Sequence, residues 1–164
     1  MSRSHSAESY RNAKRQKTVS PLPSPDSGSR EGAVRLLLVE DHAALAEVTA
    51  EFLRELGLEV QIAKSGEQAL EKAVAFLPDI VLCDMRLPDM SGLDVAGALR
   101  ANPKTKGVLI ALHTAMDNVD IHLLERETHA KAVNLFLSKP ITEEKLERLL
   151  AELAAKAKIE SPTD

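Results

Sequence analysis

Apolar residues along this chain fall into short runs separated by helical-period segments, and the two patterns alternate five times. Arg35 to Val39 is an apolar run that stops at the acidic pair Glu40-Asp41. From Ala43 to Leu56, the residues Leu45, Val48, Phe52 and Leu56 recur at helical spacing, and Gly57 follows as a stop. Leu58 to Ile62 is strand-like. Ser65, with Gln68 three residues on, predicts a capping box that opens a helix through Ala69, Leu70, Ala73 and Val74, ended by Pro78. Ile80 to Cys83 is the third apolar run and stops at Asp84. A loop with Pro88 and Gly92 leads to a helix near Leu93 to Arg100, broken by Asn102-Pro103. Val108 to Leu112 is the fourth run, ending at His113-Thr114. A helix is expected over residues 118–128. Val133 to Leu137 is the fifth run, closed by Ser138-Lys139-Pro140. Thr142 caps a last helix with Glu143 and Glu144 in its first turn and a stripe of Leu146, Leu149, Leu150 and Leu153.

Near-continuous apolar strands that alternate with helices predict an α/β fold whose parallel sheet is covered on both faces. Right-handed crossovers with one switch point give a flavodoxin-like doubly wound (βα)5 arrangement, strand order 2-1-3-4-5. Residues 1–33 lack apolar periodicity and are rich in Ser, Pro, Arg and Lys, with Pro21, Pro23 and Pro25 close together. They are expected to form a disordered leader, residues 34–157 the folded domain, and residues 158–164 a tail.

Composition narrows the function. Aromatic residues are 2% of the 164 and Trp is absent, so the core must be built from Leu, Val, Ile and Ala, and stacking on single-stranded bases is disfavoured. Residues 1–34 carry six basic against three acidic residues, a net of +3, which leaves −7 on the rest of a chain of net −4. An acidic folded part argues against direct nucleic-acid binding. The single cysteine, Cys83, excludes an internal disulfide and is expected to fill the third strand as a small apolar group. No apolar run reaches a membrane span, and a cytoplasmic protein is expected.

In open α/β sheets, ligands bind beyond the carboxyl ends of the strands. Glu40 and Asp41 stand there after the first run, Asp84 after the third, Thr114 after the fourth and Lys139 after the fifth. Taken singly, each has a plainer reading: an Asp as turn or helix cap, Thr114 as an N-cap, Lys139 as a surface lysine, Glu40-Asp41 as a helix start. Four strand ends carrying matching groups make chance a poor account. Three adjacent carboxylates need a cation, and oxygen ligands favour a hard one such as Mg²⁺ or Mn²⁺. A carboxylate beside that metal can attack a phosphoryl group and form an aspartyl phosphate, with Lys139 neutralising its oxygens and Thr114 donating one hydrogen bond.

The stretch from Arg35 to about Ala157 resembles the receiver domain of two-component response regulators, in its single-domain, CheY-like form. The matching segments are Leu-Leu-Val-Glu-Asp (37–41), Asp-Ile-Val-Leu-Cys-Asp-Met-Arg-Leu-Pro-Asp-Met-Ser-Gly (79–92), His-Thr-Ala (113–115) and Leu-Ser-Lys-Pro (137–140). The resemblance implies that Asp84 accepts a phosphoryl group from a phosphohistidine on a sensor histidine kinase or histidine phosphotransfer protein. It implies a metal held by Glu40, Asp41, Asp84 and the backbone carbonyl of Arg86, and a phosphoryl group bound by Thr114, Ala115 and Lys139. It further implies a cis Lys139-Pro140 bond, a switch pair of Thr114 and Phe136, and a downstream protein target read by a monomer or a phosphorylation-dependent dimer. The role would be regulatory, with self-catalysed phosphorylation and slow autodephosphorylation. The chain departs from the family in a longer Thr114 to Lys139 interval, in the loss of a glycine before the fifth strand (Glu127 to Ala132), and in Phe136 where Tyr is frequent.

No output domain is expected after Ala157, which leaves a stand-alone switch, a relay intermediate or phosphate sink, or the receiver segment of a hybrid kinase. An aspartyl-phosphate phosphohydrolase is disfavoured because Arg86 occupies the position of its second Asp. A flavin or nucleotide binder is disfavoured because no Gly-rich or Ser/Thr-rich cradle follows the first strand.

Overall fold

The computed structural model describes residues 32–115 and 131–160. Five strands form one parallel sheet: β1 (Arg35–Val39), β2 (Glu59–Ala63), β3 (Ile80–Asp84), β4 (Leu109–Thr114) and β5 (Leu135–Ser138), in the order β2-β1-β3-β4-β5. The described helices are α1 (Ala43–Glu55), α2 (Gly66–Phe76), α3 (Gly92–Ala101) and α4 (Glu143–Glu160). The predicted fold class and strand order are those observed. The helix expected over 118–128 and most of the expected leader lie outside the described residues, and α4 continues three residues past Ala157.

Strand alternation sorts the core into two layers. Leu36, Leu38, Ile80, Leu82, Leu109, Ala111 and Leu137 face α1 and α4, where Ala50, Leu53, Leu146, Leu149 and Leu153 close over them. Leu37, Val39, Val81, Cys83, Ile110, Leu112 and Phe136 face α2 and α3, under Ala69, Ala73, Phe76, Val95 and Leu99. Residues 80–83 of β3 are fully buried, which is why this strand reads as an unbroken apolar run. Phe76, one of three phenylalanines in the chain, also carries the Arg35 guanidinium 4.4 Å above its ring.

Local details depart from expectation in physically simple ways. Ser65 caps α2 by accepting from Gln68 N–H at 3.1 Å, but Gln68 Oε1 accepts from Lys64 N–H instead of closing the box on Ser65. The N–H groups of Gly66 and Glu67 go to the Asp89 carboxylate, at 2.8 and 2.9 Å, so the β3–α3 loop supplies part of the cap. A complete capping box forms on α3 between Ser91 and Asp94. Strand β5 starts at Leu135 rather than Val133. Ahead of it, Asn134 Oδ1 accepts from Ile110 N–H at 2.8 Å and from Arg100 at 2.7 Å. Arg100 also donates to the carbonyls of Lys106, Val108 and Ala132, tying the end of α3 to the entry of β5.

Candidate functional site

The parallel sheet brings the polar residues that end β1, β3, β4 and β5 to one edge. Glu40 follows β1, with its backbone N–H bonded to Ala63 at the end of β2, and its side chain is only 5% exposed. Asp41 comes next and is exposed. The plain alternative for this pair was a helix cap. The cap of α1 is instead His42, whose Nδ1 accepts from Leu45 N–H at 3.2 Å. Glu40 Oε1 accepts from His42 N–H at 3.2 Å, which turns the carboxylate back toward the sheet. Asp41 is thereby left out of the cap and faces its neighbours across the site.

Asp84 is the last residue of β3. Its Oδ1 accepts from Arg86 N–H at 3.2 Å, and an isolated bridge between Arg86 and Ser91 closes the loop that follows. Gly92 stands against that loop. A Cβ there would lie 2.5 Å from the Asp84 carbonyl oxygen and 2.9 Å from Leu112 Cδ2, so only glycine lets α3 start this close to Asp84. Carboxylate oxygens of Glu40, Asp41 and Asp84 all lie within 4.8 Å of one another.

From the far side of the sheet, Lys139 enters. Its Nζ donates to Glu40 Oε2 at 2.7 Å and to Asp84 Oδ2 at 3.0 Å, and its own N–H donates to the Thr114 carbonyl at 2.7 Å. Burial alone would lower the ammonium's pKa, but the hydrogen bonds and charges of Glu40 and Asp84 outweigh it, so the net shift is upward and the group stays charged. The Lys139-Pro140 bond is cis. Thr114 ends β4 as a buried residue, and Ala115 beyond it is exposed. Phe136 pairs with Leu112, and Thr114 with Ser138. Phe136 and Thr114 therefore share the face that also carries Ile110 and Leu112.

The donor set fits a hard divalent cation: three clustered carboxylates, no nitrogen or sulfur ligand among them, and one face open at Asp41. Cys83 precedes Asp84 but points into the core. Its thiol pKa is pushed far up by burial and then by the charges of Asp84 and Glu40, which leaves it inert. His113 is buried beside Asp84 in the register, and its Nε2 finds no partner among the described residues. Burial first, and the Lys139 charge second, lower its pKa to about 4.

Two residues near the site were not singled out from the sequence. His42 is one, and in the sequence only its position ahead of an apolar-periodic segment marks it as a cap. Lys145 on α4 donates to both the carbonyl and hydroxyl of Ser138 and to the Pro140 carbonyl.

Comparison with known proteins agrees with this geometry. The family model of the response regulator receiver domain matches residues 36–151. The DNA-binding response regulator MtrA of Mycolicibacterium paratuberculosis is 42% identical over 90 residues, which are 54% of this chain and 39% of that protein. The regulatory protein LuxO of Vibrio vulnificus is 35% identical over 81 residues, 49% of this chain and 18% of that one. The chain thus spans well under half the length of these relatives. Among solved structures, a CheY-like receiver domain from Methylobacillus flagellatus superposes with a TM-score of 0.65 at 30% identity, covering 74% of this chain and 99% of that one. The response regulator TrrA from Thermotoga maritima, solved in complex with Mg²⁺ and BeF, gives 0.62 at 31% identity over 73% of this chain and 98% of that one. With the family match covering well over half of its length, this chain belongs to the response regulator receiver domains of two-component systems.

Proposed function

We propose that this chain is a phospho-accepting switch in which Asp84 takes a phosphoryl group from a phosphohistidine on a sensor histidine kinase or a histidine phosphotransfer protein. The observation that carries this reading is the convergence of Glu40, Asp41 and Asp84 within 4.8 Å, with the Lys139 ammonium already bound to two of them. An Asp84 carboxylate oxygen attacks phosphorus; the O–P bond forms, the N–P bond to histidine breaks, and the leaving imidazole takes a proton. Asp84 sits at the sheet edge with one oxygen held by Arg86 N–H, which fixes its orientation before the reaction. Glu40, Asp41, Asp84 and the Arg86 carbonyl would hold Mg²⁺, which supplies neutralisation of the phosphoryl oxygens when bound. Lys139 exchanges its bond to Asp84 for one to a phosphoryl oxygen, and Thr114, with Ala115 beside it, supplies hydrogen bonds to the same group.

Movement of Thr114 toward the phosphoryl group would empty space on the face that it shares with Phe136. The ring is already buried among Ile110, Leu112 and Val133, so the motion open to it is a shift along the β4–β5 surface toward Thr114. A protein partner would read that shift. The −7 charge beyond residue 34 favours a protein over a nucleic acid as the direct target.

Incubation with acetyl phosphate and Mg²⁺, followed by intact-mass measurement, is expected to add one phosphoryl group to the chain and none to Asp84→Asn. Modification that persists in Asp84→Asn removes the assignment.

A further inference from the structure

Lys145 stands where a lysine is electrostatically disfavoured. It occupies the third position of α4, after Glu143 and Glu144, and the first turn of a helix favours carboxylates over ammonium groups. Its charge is met by a specific set of acceptors instead. Nζ donates to the Ser138 carbonyl at 2.7 Å, the Ser138 hydroxyl at 3.0 Å and the Pro140 carbonyl at 3.0 Å. Those three bonds use every donor an ammonium has. The acceptors belong to the two residues that flank Lys139, one on each side. The backbone of Lys139 itself is tied to β4 through its N–H and the Thr114 carbonyl. Lys139 is thus held by β4 through its own N–H and by Lys145 through the residues on either side of it, at the point where β5 ends.

We infer that Lys145 is a positioning residue for the phosphoryl-binding lysine: it fixes the backbone from which Lys139 reaches Glu40 and Asp84. A lysine side chain has four flexible bonds, so the place its ammonium occupies depends on where its backbone is held. This inference rests on the proposed function, because it takes Lys139 as the group that meets the phosphoryl oxygens. The competing role for Lys145 is a staple that joins α4 to the sheet and does nothing for the site.

Beryllofluoride with Mg²⁺, followed by ¹⁹F NMR, gives the affinity for a phosphoryl mimic in the wild type, Lys145→Met, Lys139→Ala and the double variant, with a melting temperature for each. Lys145→Met is expected to bind roughly tenfold more weakly, in the range that a small misplacement of a binding group produces. Lys139→Ala loses more, and the double variant loses no more than Lys139→Ala alone, since the residue through which Lys145 acts is gone. Losses that add in the double variant overturn the inference. So does a lowered melting temperature in Lys145→Met with wild-type affinity, which is the behaviour of a staple. Wild-type affinity in Lys139→Ala overturns the proposed role of Lys139, and is thereby distinguished from a failure of Lys145 alone. If Lys145→Met does not fold, Lys145→Arg and Ser138→Ala replace it. The first cannot set one ammonium among three acceptors and the second deletes one acceptor. Both are expected to weaken binding, and full affinity in both overturns the inference.

Discussion

Replacing Lys139 by Ala should have opposite effects on the stability of this domain without magnesium and on its response to magnesium. In the structure, the ammonium lies 2.7 Å from Glu40 and 3.0 Å from Asp84, whose side chains are 5% and 14% exposed. Removing one partner from a buried ion pair costs about 3–5 kcal/mol, because the remaining charge is left desolvated and unpaired. The site is open at Asp41, which admits water and lowers the expected loss to about 2–3 kcal/mol, at and below the bottom of that range. In a domain of this size that lowers the melting temperature by roughly 10 °C. A divalent cation should reverse much of this. Two carboxylates no more than 4.8 Å apart repel by at least ~3.5 kcal/mol at an effective dielectric of 20 and by at least ~1 kcal/mol at that of water. Lys139 offsets part of that repulsion in the wild type, and without it the cation takes over the whole task. Magnesium should therefore bind Lys139→Ala more tightly and raise its melting temperature by more than it raises that of the wild type. Bound ligand at 100 times its Kd contributes about 2.7 kcal/mol, enough to restore most of the deficit. Calorimetric melts of both proteins, with and without MgCl₂ and with NaCl matching the ionic strength, make the comparison. Equal magnesium shifts in the two proteins would refute the reasoning, as would an undiminished melting temperature in the metal-free variant.

Asp41→Ala should weaken magnesium binding by tenfold or more in isothermal titration, since the site loses one of three carboxylates while the α1 cap on His42 is untouched; unchanged affinity would remove Asp41 from the ligand set. His113 has its folded pKa lowered to about 4, so the unfolded chain binds the extra proton between pH ~6.5 and 4. Its contribution is complete above ~6.5 and is lost as pH falls toward 4, by up to about 3 kcal/mol, and His113→Leu should flatten that part of the stability profile. Gly92→Ala should cost about 1–3 kcal/mol by urea denaturation, because its methyl meets the Asp84 backbone, which cannot give way. Gly66→Ala should cost less: its methyl collides with the flexible Met90 side chain, and equal losses in the two variants would contradict this contrast.

The fold was legible because a parallel sheet buried on both faces imposes one pattern at every unit: an apolar run, then a polar residue, then a helical period. β3 shows the limiting case, with residues 80–83 fully buried and Asp84 emerging at the edge. Once the strand ends were located, Glu40, Asp41, Asp84, Thr114 and Lys139 were legible as a group, because the topology alone brings their positions together. Less legible was anything settled by contacts between units. Ser65 and Gln68 have the spacing of a capping box, yet the box stays open because Gln68 Oε1 accepts from Lys64 N–H, while Asp89, from a different loop, takes the Gly66 and Glu67 N–H groups. Nothing local to residues 65–68 announces the second cap from Asp89.

Lys145 shows how such a contact still leaves a trace. Thr142 opens α4, and its hydroxyl accepts from the N–H of Lys145, so Lys145 occupies the third helical position. A capping box would place Glu or Gln there, and the helix dipole would favour the same choice. The sequence has Glu at the two positions before it and then a lysine at the one position where the local rule is strictest. A residue that contradicts its helix points to a partner outside it, and here the partners are the carbonyls of Ser138 and Pro140 in the turn that carries Lys139. The violation of a local rule was visible in the chain from the start. The partner that explains it became visible only when β5 and α4 were set side by side.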